Sequence, residues 1–177
     1  MSLSASVFSA AGAIKQGWEL AEERVITSAS TTEDFTVDGE ADGGYMIEGV
    51  LVNDQGTGGA VNLRVNGANA VMNNQYISAS GTSISTSRNS GVSWICSTTA
   101  NKSTGFQVAI PVSRKDDARM VFTDSAQNES TMSKEMISAS LTTPAASTAI
   151  TSIGIGATAA DNIGVGSVIR VWKRRTE

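Results

Sequence analysis

From about residue 33 onward the chain is a succession of short apolar or alternating runs, each closed by Gly, Asn, Asp, Ser or Thr. Punctuation of that kind constrains the fold more than any other feature, because regularly spaced short strands with polar turns build sandwiches or barrels. GYMIEGVLVN (44–53) is nearly continuous apolar, the pattern of a strand covered on both faces. DQGTGG (54–59) reads as a turn. AVNLRVNG alternates, with Val61, Leu63 and Val65 on one side and Asn62, Arg64 and Asn66 on the other. QYISASGTSISTS gives two short strands bent at Gly81. In GFQVAIPVS, Phe106, Val108, Ile110 and Val112 share a face. Pro111 cannot donate to a ladder, which places this strand at a sheet edge or turns that position outward. KEMISASLT sets Ile137, Ala139 and Leu141 on one face, and TPAAST leads into a final strand pair. About ten strand candidates result, with no long helical pattern between them, so a parallel βαβ sheet is not expected.

The length of 177 residues fits one domain with a sizeable core. Charged residues make up 17% of the chain, below the roughly 25% of ordinary soluble domains, and neutral polar residues take their place. Net charge is −4, and the single basic cluster, Lys173, Arg174 and Arg175, reads as a solubilised chain end. A nucleic-acid partner is not expected, since phosphate binding needs a basic stripe. No run approaches the roughly 18 apolar residues of a membrane helix, and a membrane partner is not expected either. The first residues carry small apolar side chains without a basic region ahead of them, unlike a signal peptide, so synthesis in a cytoplasm is expected. Leu3, Val7, Phe8, Ala11 and Ile14 fall near helical spacing. The organisation read from these patterns is an N-terminal arm or short helix over 1–17 and a single β-sandwich domain over 18–177. WELAEERVITSA is ambiguous between helix end and strand.

The chemistry-bearing residues are few. Cys96 is alone, shares a strand face with Val92 and Trp94, and has no histidine anywhere in the chain to act as its base; it reads as a buried inert thiol. In DGEADGG, Asp38, Glu40, Asp42 and Gly43 match the opening of a calcium-binding EF-hand loop. The twelfth place, where that loop needs a bidentate Glu, is Gly49, so the segment reads as an acidic Gly-rich turn without a metal. Glu48 is the one acid embedded in an apolar strand, but a glycosidase-type pair needs a second acid in comparable context. GTGG (56–59) and the GIG and GVG triplets of 154–166 lack the helix and the Lys-Ser/Thr of a phosphate loop; glycine within a strand marks a bulge or close backbone approach. Trp18, Trp94, Trp172, Tyr45 and Tyr76 are scattered and read as packing residues. No catalytic residue, cofactor or metal is assigned.

Taken in order, GYMIEGVLVN, AVNLRVNG, NNQYIS, GFQVAIPVS and ITSIGIG…DNIGVGSVIRVWK resemble a layout that recurs in tailed-bacteriophage virion proteins. The closing elements are Ile150, Thr151, Ser152, Ile153 and Gly166, Ser167, Val168, Ile169. Where that family ends in Leu-Tyr-Gly, this chain has Val171, Trp172, Lys173. The resemblance spans roughly residues 18–172. It implies an all-β, jelly-roll-like antiparallel β-sandwich with a short N-terminal arm or helix, acting without catalysis in the virion after synthesis in the host cytoplasm. Two roles are consistent with it. One is a capsid decoration or cement protein bound to the lattice of the major capsid protein; the other is a tail or head fibre module binding host-surface glycans. The short chain and its arm favour the first. The resemblance also implies a homo-oligomer, a trimer, with Leu3, Val7, Phe8, Ile14, Trp18 and Trp172 in contact with shell or neighbour. Val165, Ile169 and Val171 alternate with Gly166, Val168, Arg170 and Trp172, which predicts one face in the core and the other partly covered by a neighbour.

Overall fold

The computed structural model describes residues 14–15, 17–38, 44–80, 82–111, 119–127, 133–143 and 149–174. Leu3, Val7, Phe8, Glu40, Asp42 and Val112 lie outside these. The described chain is built from strands: β1 (Ile14–Lys15), β2 (Trp18–Val25), β3 (Thr32–Thr36), β4 (Tyr45–Asn53), β5 (Gly59–Val65), β6 (Ala68–Asn69) and β7 (Val71–Ser80). They continue as β8 (Ser83–Val92), β9 (Trp94–Thr98), β10 (Lys102–Ile110), β11 (Arg119–Gln127), β12 (Ser133–Thr143), β13 (Ser152–Ala157) and β14 (Val168–Arg174).

These strands form an antiparallel β-sandwich, the all-β class the punctuation predicts. A nine-stranded sheet runs β1-β2-β14-β4-β10-β11-β12-β7-β8, and a five-stranded sheet runs β3-β13-β5-β6 with β9 also pairing β5. Residues facing inward from both sheets make one core. Ile47, Val108, Val121 and Ile169 come from the large sheet; Phe35, Leu63, Ile153 and Ile155 come from the small one. The alternation read in the sequence survives intact in β5, where Val61, Leu63 and Val65 are buried and Arg64 points away. It holds likewise for Phe106, Val108 and Ile110, and for Ile137, Ala139 and Leu141.

Several expectations need correction. The run WELAEERV, ambiguous by pattern, is β2, which pairs along its length with β14. Pro111 does not mark an edge: β10 lies between β4 and β11 and ends at Ile110, so the proline falls just past the ladder and removes no bond from it. Within the segment read as an arm, Ile14 and Lys15 pair with Glu19 and Trp18, and residues 1–13 and 16 lie outside the described residues. QYISASGTSISTS does contribute to two paired strands, and they are longer than the pattern implied, with β7 and β8 each ten residues; Gly81 lies outside the described residues.

The closing segment occupies the middle of both layers. β13 sits between β3 and β5, and β14 sits between β2 and β4. The connection between them is sewn to earlier parts of the chain by Gly164 N–H to Val52 O (2.7 Å), Ile163 N–H to Ser30 O (3.1 Å) and Ile26 N–H to Ser167 O (2.9 Å). The buried Ser167 hydroxyl also accepts from Val52 N–H at 2.9 Å. A second clamp comes from Asn66. With Gly67 it turns β5 into β6 at positive φ (53° and 76°), the Asn-Gly turn that suits the twist of a hairpin. Its side-chain oxygen accepts from Thr151 N–H at 2.8 Å, and its amide donates to Ala149 O at 2.9 Å.

The glycines of SIGIGA have a packing reason. Ile153 and Ile155 point into the core, so Gly154 and Gly156 face outward. Gly154 stands in register between Asp34 on β3 and Arg64 on β5. The two side chains meet across it, with Arg64 Nε 3.0 Å from Asp34 Oδ1 and Arg64 Nη2 3.0 Å from Asp34 Oδ2. A bidentate pair of this kind is geometrically specific and holds its partners in one arrangement. A Cβ at Gly154 would run into the Glu33 carbonyl oxygen and the Asp34 carboxylate. Gly154→Ala is therefore expected to destabilise the protein by about 1–3 kcal/mol, as overpacked sites do. Gly105→Ala, where the nearest atom lies at 3.9 Å, serves as the comparison and should leave the urea midpoint within error of the parent. Equal midpoints for both variants would refute the packing account.

Candidate functional site

The two faces of the nine-stranded sheet differ in what covers them. Its inner face is covered by the small sheet where Ile47, Val108, Ile137 and Ile169 lie, whereas the edge strand β8 is exposed on both sides. Its outer face carries the alternate residues, and register places them in rows. In one row Val25 pairs with Val168 and Val168 with Val50. That row continues through Gly105, Ala126 and Lys134 to Ala79 and Ile84 at the far edge. In the adjacent row Glu23 pairs with Arg170, Arg170 with Glu48 and Glu48 with Gln107; further along, Met136 pairs with Ile77.

Apolar exposure is concentrated on this face. Among the described residues, the large apolar side chains left exposed are Val25 (54%), Val50 (48%), Ile77 (51%), Ile84 (75%), Met136 (52%) and Val165 (51%). All but Val165, which lies in the connection before β14, belong to the outer face of the large sheet. Single exposed apolar residues are ordinary, whereas their concentration on one face, here in two groups joined across Gly105 and Ala126, marks an interaction surface. A recess of about 360 Å³ opens on the same face, lined by Gln75, Ile77, Gln107, Ala109, Met136 and Ser138 among others.

A polar knot sits beside the patch. Glu48 Oε1 accepts from the Trp172 indole N–H at 3.1 Å, and Glu48 Oε2 accepts from Gln107 Nε2 at 2.9 Å. Arg170, next to Glu48 in the row, pairs with Glu23. Trp172 is buried with Met46 on the outer side of the sheet, apart from the core cluster. The sequence singled out Glu48 and Trp172 for different reasons; strand pairing joins them in one contact. The two bonds hold the Glu48 carboxyl between the Trp172 indole and the Gln107 amide, next to Arg170 in the row.

Other sequence candidates fall elsewhere. Trp18 is half-buried at the start of β2, opposite Arg174, and Ile14 is in β1 opposite Glu19. Asp38 accepts from Tyr45 Oη at 3.1 Å and from Lys173 Nζ at 3.4 Å, tying the acidic turn to the end of β14. Tyr76 and Trp94 pack edge to face with centroids 5.2 Å apart, bridging the two sheets. Sequence reasoning missed the patch itself, although Val50, Ile77 and Met136 were each visible as apolar residues.

Cys96 is fully buried on β9. Burial pushes its thiol well above the ordinary range, and the Glu135 carboxylate adds to the shift. A thiol held protonated is a poor nucleophile. The folded protein should react with a thiol reagent at pH 8 at least about a hundredfold more slowly than the urea-unfolded chain. The same shift has a pH consequence. The unfolded thiol ionises near pH 9 and the folded one does not, so stability is full below that pH and falls as pH rises above it. Fast native labelling, or a urea midpoint that rises between pH 8 and 10, would contradict this placement.

No protein-family model matches the chain, and comparison with curated proteins and with solved structures gives no match.

Proposed function

We propose that this chain is a non-enzymatic structural protein that works by docking, and that its specific role is to decorate and stabilise the outer shell of a virus particle as a cement protein. The observation that carries the docking reading is the concentration of exposed apolar side chains on one sheet face. A face of that kind is costly to leave in water and gains free energy when another surface covers it. The virion assignment rests on the sequence resemblance of the five ordered motifs, from GYMIEGVLVN to the closing strand pair.

The mechanism is linkage. A protein that binds the assembled lattice and not its separated subunits stabilises the lattice by mass action. With many copies on one shell, a modest free energy per copy becomes a large barrier to disassembly. The acidic balance and the neutral polar strand faces suit a protein displayed on a particle surface.

A tagged copy of the chain, expressed in cells producing the virus of its own source, tests the reading. The tag should cosediment with mature shells in a density gradient, and low-resolution images should place added density at repeating lattice positions. Shells carrying the chain should resist heat or chelator better than bare shells. A tag confined to the soluble fraction would overturn the assignment.

A further inference from the structure

We propose that the outer face of the nine-stranded sheet is a self-interface, closing two copies of this chain face to face about a two-fold axis that runs parallel to the strands. The inference rests on the docking reading above: a second copy covers this face, in a two-fold pair in place of the trimer the sequence resemblance implies, and the shell is met by the loops and edges outside it.

The first argument is size. From Val25 on β2 to Ile84 on β8 the row crosses eight neighbouring strands of the sheet. A third row on the same face runs through Trp172, Met46, Ala109, Ser138 and Gln75. At a spacing of about 4.8 Å between strands and about 7 Å between rows, the face measures roughly 34 Å by 20 Å, or about 700 Å². A standard stable interface buries about 800 Å² on each partner. The patch thus matches what a dimer requires, and it is a whole sheet face rather than a groove shaped for a peptide.

The second argument is self-complementarity. An isologous interface needs each patch to fit its own two-fold image. With the axis between β10 and β11, the strand order reverses: β2 of one copy lies over β8 of the other, and β4 lies over β12. In the first row Val25 then meets Ile84 and Val168 meets Ala79; in the second Glu48 meets Met136, and Arg170, paired with Glu23 of its own chain, meets Ile77. Lys134, the basic residue of the first row, meets Val50 and lies one row from Glu48 on the same strand of the opposing copy. Two symmetric Lys134–Glu48 approaches result, opposite in charge. Two sheets with the same twist pack with strands aligned within about 30°, which is the arrangement this axis produces.

The purified full chain is examined by light scattering coupled to size exclusion, and by sedimentation equilibrium. The expected mass is twice the 18.3 kDa of the chain. The double variant Ile84→Glu, Met136→Glu, altering two exposed positions that face Val25 and Glu48 of the other copy, should weaken association at least about a hundredfold by burying charge without an opposite partner, and should leave the circular-dichroism spectrum unchanged. A disulfide test fixes the geometry. In a Val25→Cys, Ile84→Cys variant the two new thiols sit at opposite edges of one sheet, too far apart to bond within a chain. Oxidation should give a covalent dimer, whereas a Val165→Cys variant, altered off this face, should not. A monomeric parent, a trimer, an oligomer untouched by the glutamates, or cross-linking through residue 165 alone would overturn the proposal. Particle binding is scored separately: a dimer that ignores shells sinks the cement reading and keeps this one, and a monomer that binds shells does the reverse.

Discussion

The architecture depends on backbone hydrogen bonds donated and accepted by residues 151–174. β13 is the only described strand that pairs with β3, and β14 is the only one that joins β2 to the rest of the large sheet. The single bonds around them follow the same rule: Ile26 with Ser167, Ser30 with Ile163, Val37 with Thr151. Among the described residues, the stretch from Trp18 to Val37 therefore finds its backbone partners outside itself in the last part of the chain, apart from the pairing of β1 with β2. Buried backbone groups without partners are costly, so neither layer is complete until this closing segment is in place.

Central placement of β13 and β14 also explains their composition. A strand flanked on both edges by neighbours, with a core below, must keep its outer side narrow or pair it. β13 keeps it narrow with glycines, over which Arg64 reaches Asp34. β14 pairs it, with Arg170 against Glu23 and the Trp172 indole against Glu48. The same position in the two sheets is solved once by removing side chains and once by engaging them.

Much of the fold was legible because period-two alternation reports directly on which side of a strand meets the core. Val61, Leu63 and Val65 needed no further information, and the GIG triplet correctly signalled close backbone approach. Legibility failed where alternation is silent. In WELAEERV, charges fall on both sides because Arg24 turns inward, stacks 4.3 Å from the centre of the Phe35 ring and pairs with Glu33. Pro111 misled because the end of a ladder cannot be located to one residue by pattern. The apolar patch was invisible for a topological reason. Val25, Val50, Met136 and Ile84 lie far apart in sequence, and their adjacency follows from strand order, which alternation does not encode. The near-continuous apolar character of β4 was the one available signal: it pointed to cover on both faces, and the structure supplies it on the inner one.

Having the middle strands encoded after all of their neighbours carries a cost during synthesis. At roughly 5–20 residues per second, on the order of ten seconds separate the making of Val37 from that of Arg174. Through that interval β4 and β5 each keep one side of their backbone open, and β2 and β3 have no sheet to join. Open strand edges recruit other chains. A nascent polypeptide of this design is thus most vulnerable to mispairing just before residues 152–174 emerge, and crowded translation of many copies would lengthen the odds against each of them.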